Sequence, residues 1–423
     1  MDFWSKIKLV FQDKTLRGRI LFVAGALVIS RLLATIPIPG IDAIKLNAFF
    51  SGSEFFGFLN IFSGGGMGNL SIAMLGVGPY ITGSIIMQLL TMMFPKLKAM
   101  YQEEGEAGRR KFTQYSRLIT IPIAIVQGFG YLMLLTKQGV IVNLGPMDMI
   151  VNIAIITAGS VLLMWIGELM TEFGIGNGTS MIIFAGIVSR LPTSLTQLSA
   201  AFSISQIPLY LLLAVISVVV IYAVVFITEA ERPIPVTYAK RIRGSKISGG
   251  VSTYLPLRVN QAGVIPIIFA MSILLFPQMI LKFIVQMATN ETVKSIATSL
   301  NSFVSNSWVY GVSYFLLVFL FTYFYTAVTF DPDAISKNLQ QNGAFIPGVR
   351  PGQSTSEYLA KVLTRITLIG AIFLGLIAVL PLVVKSMTGI TSIAVGGTAL
   401  LIVVSVVIDL IKKIEAQITM REY

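Results

Sequence analysis

A long apolar stretch that is interrupted by glycines constrains this chain more than any other feature. The stretch runs from Phe55 to Phe94 and is broken by the glycines at positions 64, 65 and 66. The part that resumes at Ile72 is long enough to cross a bilayer, which takes about 20 apolar residues, whereas the part before the glycines is too short. Broken backbone at membrane depth is tolerated only inside protein or beside a water-filled cavity. We therefore predict that Phe55–Leu70 is a half-helix folded into a cavity, with an ordinary outer loop as the alternative.

The composition is typical of a polytopic membrane protein. Hydrophobic residues make up 55% of the chain, charged residues only 12%, and the mean hydropathy is +0.82. Soluble domains carry about 25% charged residues. The chain contains no Cys and no His, so disulfides, thiolates, the commonest metal ligand and the commonest general base are all missing. We therefore expect no metal site, no cofactor and no catalytic site.

Hydropathy predicts ten membrane-spanning helices. Their approximate limits are Ile20–Pro37, Ile72–Phe94, Leu118–Thr136, Met149–Ile166, Met181–Leu198, Leu209–Thr228, Ala262–Val285, Val309–Phe330, Ile366–Lys385 and Ile390–Ile411. With the N-terminus inside, 24 of the 31 Lys and Arg residues fall in inner segments and six in outer loops. Because cytoplasmic loops hold the excess of Lys and Arg, we predict that both termini are cytoplasmic. The first 19 residues are expected to form a cytosolic amphipathic helix and not a cleaved signal.

Five spans in each half would give the two halves opposite orientations. We predict an N-terminal half, residues 1–200, and a C-terminal half, residues 201–423, with a working site at their interface, as inverted repeats usually have. A bundle without this symmetry is the alternative. Two predicted cytosolic loops, about 229–256 and 331–365, are long and basic. Their charge could serve only to fix the orientation of the chain in the membrane. Because the loops are longer than that role requires, we favour docking surfaces for a partner.

The predicted spans hold few ionisable residues, which argues against an ion-coupled transporter of a small molecule. Such transporters need paired charges near the middle of the bilayer. Isoleucines recur four residues apart, at Ile81 and Ile85 and again at Ile183 and Ile187, so each pair shares a helix face. Isoleucine pairs of this kind most often pack in a protein core. They can also line an apolar constriction, which gates a pore by excluding water. Pro266 is expected to kink the seventh span.

Several long motifs, in order along the chain, resemble the SecY family, the large channel-forming subunits of the bacterial Sec protein translocon. The matching pieces are IPIPGID, LNIFSGGG, GPYITGSIIMQLL, GELMTEFGIGNGTSMIIFAGI, ERPIPVTYAKR, STYLPLRVNQAGVIPIIFA, GAFIPGVRPG and GGTALLIV. The resemblance covers essentially the whole chain. It implies an all-α polytopic membrane fold with ten transmembrane helices in two inverted five-helix halves around an hourglass pore.

The resemblance also implies roles for particular residues. The broken half-helix resembles the plug of the pore, and its residues are Phe62, Ser63, Gly64, Gly65, Gly66, Met67 and Gly68. The pore ring of the family corresponds to Ile81, Ile85, Ile183, Ile187, Ile268 and Ile402. Gln127 and Asn260 resemble the polar members of the lateral gate, and we expect them to be hydrogen-bonded when the gate is closed. Arg243 and Arg350 resemble contacts for the ribosome and for the SecA motor.

The function implied by the resemblance is a protein-conducting channel and not an enzyme. It would carry unfolded, signal-sequence-bearing precursors across the bacterial plasma membrane and release membrane-protein segments sideways into lipid. The expected partners are the SecE and SecG subunits, together with SecA or the ribosome, which supply the driving energy.

Overall fold

The computed structural model describes most of the chain, namely residues 12–39, 63, 66–137, 139–141, 145–189, 192, 196, 207–238, 241–243, 246–248, 252–263, 265–288, 290–388 and 391–422. Packing divides the chain into two compact units, one of residues 1–209, 275–306 and 385–423, the other of residues 210–274 and 307–384. These units are defined by packing, whereas the predicted halves 1–200 and 201–423 are defined by orientation. The two inverted halves therefore stay a prediction.

Helices account for most of the described residues. In chain order they are α1 Lys14–Leu33, α2 Gly78–Met93, α3 Pro95–Gln102, α4 Gly105–Lys137, α5 Pro146–Phe173, α6 Gly178–Val188, α7 Ile207–Glu229, α8 Ile265–Met287, α9 Glu291–Val304, α10 Ser307–Thr329, α11 Pro332–Gln341, α12 Gln353–Thr388 and α13 Thr391–Glu422. Side-chain caps begin several of them. Asp13 accepts a hydrogen bond from the backbone N–H of Thr15 at 2.9 Å, and Asn177 accepts one from that of Ser180 at 3.2 Å. Each cap satisfies an N–H that has no partner inside its helix.

Five stretches of the described chain are helical, long and apolar enough to cross a membrane. They are Gly105–Thr136, Pro146–Phe173, Tyr210–Glu229, Ser307–Gln341 and Gln353–Val384. Two shorter apolar helices, Gly178–Val188 and Ile265–Leu274, accompany them. The prediction of a helical, polytopic membrane protein is therefore confirmed, while the count of ten spans stays a prediction.

Three predicted helix features differ in the structure. The second span is helical from Gly78 and not from Ile72, because residues 72–77 form turns and Pro79 then occupies the first turn of α2. The fifth span is helical from Gly178 to Val188 and is capped by Ser189, so this helix is shorter than predicted. Pro266 does not kink its span, because it is the second residue of α8, where its missing N–H has no role; the proline inside α8 is Pro277.

Helix α5 lies at the centre of the first unit and packs against α1, α2, α4 and α6. Its buried side chains include Ile156, Leu163 and Met170. Two glycines of α5, Gly159 and Gly167, let other backbone segments approach it closely. Small residues at such contacts are what membrane helices use to pack, because lipid offers no hydrophobic driving force between helices.

The second unit contains a small sheet, whose strands lie between its membrane helices along the chain. Its strands are β1 Glu231–Tyr238, β4 Ser252–Arg258 and β5 Ala344–Phe345, in the order β4-β1-β5, and a separate hairpin pairs β2 Arg241–Arg243 with β3 Lys246–Ser248. Strand β1 runs antiparallel to β4, with Ile234 opposite Leu255. Ile234 and Val236 point to one face, as the two-residue period of a strand requires, and pack with Leu257 and Leu359 in a buried apolar cluster. The two basic loops are therefore folded structures and not simple turns.

Candidate functional site

The glycine-rich segment ends in a tight turn that is described from Gly66 onward, together with Ser63. The Ser63 Oγ accepts a hydrogen bond from the Met67 N–H at 3.0 Å, and the Ser71 Oγ donates to the Gly66 carbonyl at 3.0 Å. A Cβ on Gly66 would lie 2.5 Å from the Ala73 carbonyl oxygen. Gly66 has an ordinary right-handed backbone, with φ of −67°, so glycine is needed here for close approach and not for an unusual angle. Of the predicted plug, Phe62, Gly64 and Gly65 lie outside the described residues, as does the half-helix before them.

The turns between Gly66 and Val77 are fixed to the rest of the first unit. An antiparallel bridge joins Pro37 to Ser71, with the Ile38 N–H donating to the Leu70 carbonyl at 2.9 Å and the Ile72 N–H donating to the Ile36 carbonyl at 3.0 Å. Met67, Leu70, Ala73, Met74, Leu75 and Val77 are all buried. The described end of the predicted plug therefore has a rigid base.

Two residues of α5 hold this base from the other side. The Ser160 Oγ donates to the Gly76 carbonyl at 2.8 Å. Beside it, a Cβ on Gly159 would lie only 2.0 Å from the Ile72 carbonyl oxygen. The non-helical backbone before α2 is thus covered by protein, which is the condition for such backbone at membrane depth.

The predicted pore-ring isoleucines are all buried. Ile81 and Ile85 lie on α2, Ile183 and Ile187 on α6, and Ile402 on α13, all within the first unit, with exposed fractions between 1% and 8%. Ile268, on α8 in the second unit, is also buried. Helix α6 packs against α1, α5 and α13, so five of these residues stand on helices that adjoin α5 or α6. Their burial fits both a closed constriction and ordinary packing, so the ring stays a prediction.

The beginning of α6 is held tightly against α5. The Gly178 N–H donates to the Thr171 Oγ1 at 2.9 Å. A Cβ on Gly178 would lie 2.0 Å from the Gly167 carbonyl oxygen, which leaves no space for any other residue. These contacts fix the height of Ile183 and Ile187 relative to α5.

The two predicted gate residues differ in their surroundings. Gln127 is half-buried on α4. Asn260 lies in the connection between β4 and α8 and not in the helix, and it is 6% exposed. Its Oδ1 is buried and has no hydrogen-bond partner among the described residues. The expectation that Asn260 is hydrogen-bonded is therefore not met at its Oδ1, because no donor among the described residues bonds to this atom.

The unpaired acceptor of Asn260 leads to a testable prediction. A buried polar atom without a partner costs about 1–3 kcal/mol in desolvation. We expect Asn260→Leu, which is similar in size, to stabilise the protein by about 1 kcal/mol, measured as a higher midpoint of thermal unfolding in detergent. Asn260→Asp is the matched control and should destabilise it, because it places a charge in the same buried site. A Leu variant less stable than the parent chain would show that Asn260 makes hydrogen bonds in the native protein.

The predicted docking residues lie on the folded loops of the second unit. Arg350 is exposed on a turn between β5 and α12, and its carbonyl accepts a hydrogen bond from the Thr355 Oγ1 at 2.9 Å. Gly348 and Gly352 shape the turn with φ of 83° and 101°, a region that favours glycine. The Ser336 Oγ of α11 donates to the Gly352 carbonyl at 2.6 Å. Arg350 therefore stands on a rigid tip.

Arg243 ends strand β2, where its backbone pairs with Lys246 in β3. The hairpin holds Arg241, Arg243 and Lys246 within a few residues of each other along the chain. These side chains and Arg350 are all positively charged. A surface that binds an acidic partner requires such charges.

Three charged residues in or next to the predicted spans have partners that the sequence did not reveal. Arg117 of α4 and Glu168 of α5 form an ion pair at 2.7 Å. Arg31, in the last turn of α1, donates from Nη1 to the Ser189 Oγ at the end of α6 at 2.9 Å. Both contacts join neighbouring helices, so these charges have structural partners. Within the described ranges, no group of three or more Asp and Glu residues is placed to hold a metal ion.

Nearly the whole chain is similar to known proteins in both sequence and structure. The family model SecY matches residues 71–411. The protein translocase subunit SecY of Synechocystis is 42% identical over 421 residues, which cover 97% of this chain and 94% of the relative.

Two solved structures have the same fold. One is a SecY channel whose plug domain stabilises the closed state and maintains a membrane seal, with a TM-score of 0.63, 21% identity, and coverage of 93% of this chain and 91% of that chain. The other is Sec61 in a canine ribosome–channel complex, with a TM-score of 0.58, 18% identity and the same coverage. The family match, the 42% identity over nearly the full length and the shared channel fold together establish that this chain belongs to the SecY family.

Proposed function

We propose that this chain is the channel-forming subunit of a Sec translocon, through which unfolded secretory precursors cross a bacterial plasma membrane. The observation that carries the proposal is the match to translocase subunits over 97% of the chain. The protein is a translocation channel and not an enzyme, so SecA or the ribosome supplies the energy. The alternative of an ion-coupled transporter is not supported, because the relatives are protein translocase subunits.

The isoleucine ring would form the constriction of this channel. Branched apolar side chains exclude water from a narrow neck, and an ion there would lose its hydration without gaining ligands. The same side chains offer a moving peptide no hydrogen bonds that would hold it in place. All six isoleucines are buried, as a closed constriction requires.

The plug would close the neck from one side, and its base supports the proposal. The turns from Gly66 to Val77 are held by the Pro37–Ser71 bridge and by Ser160, so this base would keep its place while the channel opens. The related SecY channel has a plug domain that maintains its membrane seal.

Lateral release into lipid would use the span that carries Gln127 and the connection before α8 that carries Asn260. The Oδ1 of Asn260 is buried without a partner among the described residues. A small movement that brought a donor to this atom would lower the free energy, so Asn260 would favour a rearranged gate. Interhelical polar contacts in membranes contribute on the order of 1 kcal/mol each, enough to shift a gate several-fold.

The partners and the orientation follow from charge and from the relatives. The excess of Lys and Arg in the predicted inner loops favours cytoplasmic N- and C-termini. The related Sec61 channel forms a complex with the ribosome, which supports ribosome binding at the Arg243 and Arg350 loops. SecE and SecG would pack on the apolar faces of the membrane helices, and SecA would share the loop surface with the ribosome.

Reconstitution tests the proposed function directly. The chain would be placed in vesicles with SecE and SecG, and a secretory precursor would be added with and without SecA and ATP. We expect SecA-dependent protection of the precursor from added protease. Ion-dependent uptake of a small solute without precursor protection would favour the transporter instead.

The docking role of Arg350 gives a second test in the same assay. Because an exposed Arg contributes little to stability, Arg350→Glu should leave the protein assembled while reversing a charge on the rigid tip. We expect translocation at limiting SecA to fall about tenfold, as loss of one charged docking contact of about 1.4 kcal/mol would give. Lys361→Glu, at an exposed position of α12, is the matched control. Normal translocation by Arg350→Glu at limiting SecA would contradict the docking role.

A further inference from the structure

Helix α9 leaves one apolar face uncovered in the structure. Val293, Ile296, Leu300 and Phe303 are 45% to 63% exposed. Their spacing of three, four and three residues places them on one side of the helix. Only Ala297 on the adjoining edge is buried, so the helix touches protein along that edge and leaves the apolar stripe outside.

The opposite face of α9 is polar throughout. It carries Lys294, Ser295, Thr298 and Ser302, all of them exposed. Asn290 caps the helix by accepting a hydrogen bond from the Thr292 N–H at 3.0 Å. An apolar stripe on one side of a helix and a polar face on the other are typical of helices that lie at the membrane–water interface.

Chain connectivity places this helix at a membrane surface. Helix α10 has 23 residues, begins at Ser307 and belongs to a stretch long and apolar enough to cross a bilayer. Only Ser305 and Asn306 separate α9 from α10, so the end of α9 lies within about 11 Å of the first residue of a membrane-crossing helix. Trp308, the second residue of α10, is highly exposed, and Trp is enriched at the level of the lipid headgroups.

We propose that α9 lies in the plane of the membrane, with Val293, Ile296, Leu300 and Phe303 inserted at the boundary between headgroups and acyl chains. The occupant of the stripe is lipid of the leaflet at which α10 begins. This inference rests on the crossing of the membrane by α10 and not on the pore, the plug or the docking loops.

Spin labels can measure the depth of each face of α9, because the chain has no Cys that would compete for the label. Single variants Ile296→Cys and Leu300→Cys report on the stripe, and Thr298→Cys and Ser302→Cys report on the polar face. Leu316→Cys, at an exposed position within α10, is the lipid-embedded reference. The labelled full-length chain would be reconstituted into vesicles of phosphatidylethanolamine and phosphatidylglycerol.

Accessibility to oxygen and to a water-soluble nickel chelate separates the outcomes. We expect the ratio of oxygen to nickel accessibility to be several-fold higher at positions 296 and 300 than at 298 and 302, and to approach that at 316. Equal ratios on the two faces would overturn the proposal. Low accessibility to both reagents at 296 and 300 would also overturn it, since a protein would then cover the stripe. Neither outcome depends on translocation, so the proposed function is tested separately.

Discussion

Replacing Gly159 with Ala is expected to destabilise the first unit strongly and to open the channel to ions. The new Cβ would lie 2.0 Å from the Ile72 carbonyl oxygen and 2.8 Å from its carbon, both backbone atoms. Backbone cannot turn aside as a flexible side chain does, so either α5 or the turns between Gly66 and Val77 must move. Overpacking of this kind costs about 1–3 kcal/mol, and we expect the upper end because Pro37, Ser71 and Ser160 hold the turns in place.

Gly128→Ala is the matched control for this change. Gly128 lies in α4, also a membrane helix of the first unit, and a Cβ there would meet the nearest atoms, of Ile156 and Leu75, at 3.8 Å, an ordinary contact. It should be neutral or slightly stabilising, since Ala is the better helix former. The midpoint of thermal unfolding in detergent measures the loss of stability, and conductance across a planar bilayer without precursor measures the leak of ions. Equal stability of the two variants would contradict the close approach at Gly159.

Replacing Ile81 and Ile402 together with Gly is expected to let ions through the idle channel. Both residues are buried in the first unit, on α2 and α13, and both belong to the proposed ring. Removing two branched side chains would widen the neck enough for water to wet it, and a wetted neck conducts ions. We expect frequent channel openings in a planar bilayer with no precursor present, where the parent chain stays silent.

The same two helices provide the control for the ring. Ile86 of α2 and Ile411 of α13 are exposed, so Ile86→Gly with Ile411→Gly introduces the same flexibility into the same helices outside the proposed ring. This control should remain silent. If the ring variant is less stable than the parent chain but does not leak, then these isoleucines are ordinary packing and the constriction lies elsewhere.

Sequence patterns predicted the features that depend on length and composition. A membrane-crossing helix needs about 20 apolar residues whatever its neighbours are, so the long helices α4, α5, α7, α10 and α12 could be placed approximately. Ordered motifs along the chain also indicated the SecY family, which the family comparison confirmed. The half-helix before Gly66 and the lateral contacts of Gln127 stay predictions.

The sheet of the second unit was missed because two of its signals conflict. Ile234 and Val236 alternate as a strand requires, but Pro233 and Pro235 lie on either side of Ile234, and these prolines favoured the prediction of turns. Those prolines are exposed on β1, and the strand is stabilised by the apolar cluster beneath it. That cluster includes residues of α12 more than 100 positions away, which no local pattern reports.

By itself the sequence determined the class of this protein, the approximate place of its long helices and its family. Only the tertiary structure decided which apolar side chains face protein, because lipid and protein interior are equally apolar and hydropathy cannot distinguish them. Ile85 and Ile86 are neighbours of the same residue type, yet one is buried and the other exposed. Glycine is needed at positions 66 and 159 because another backbone segment lies close to each of them. The apolar stripe of α9 is exposed because no other segment in the described part of the chain covers it.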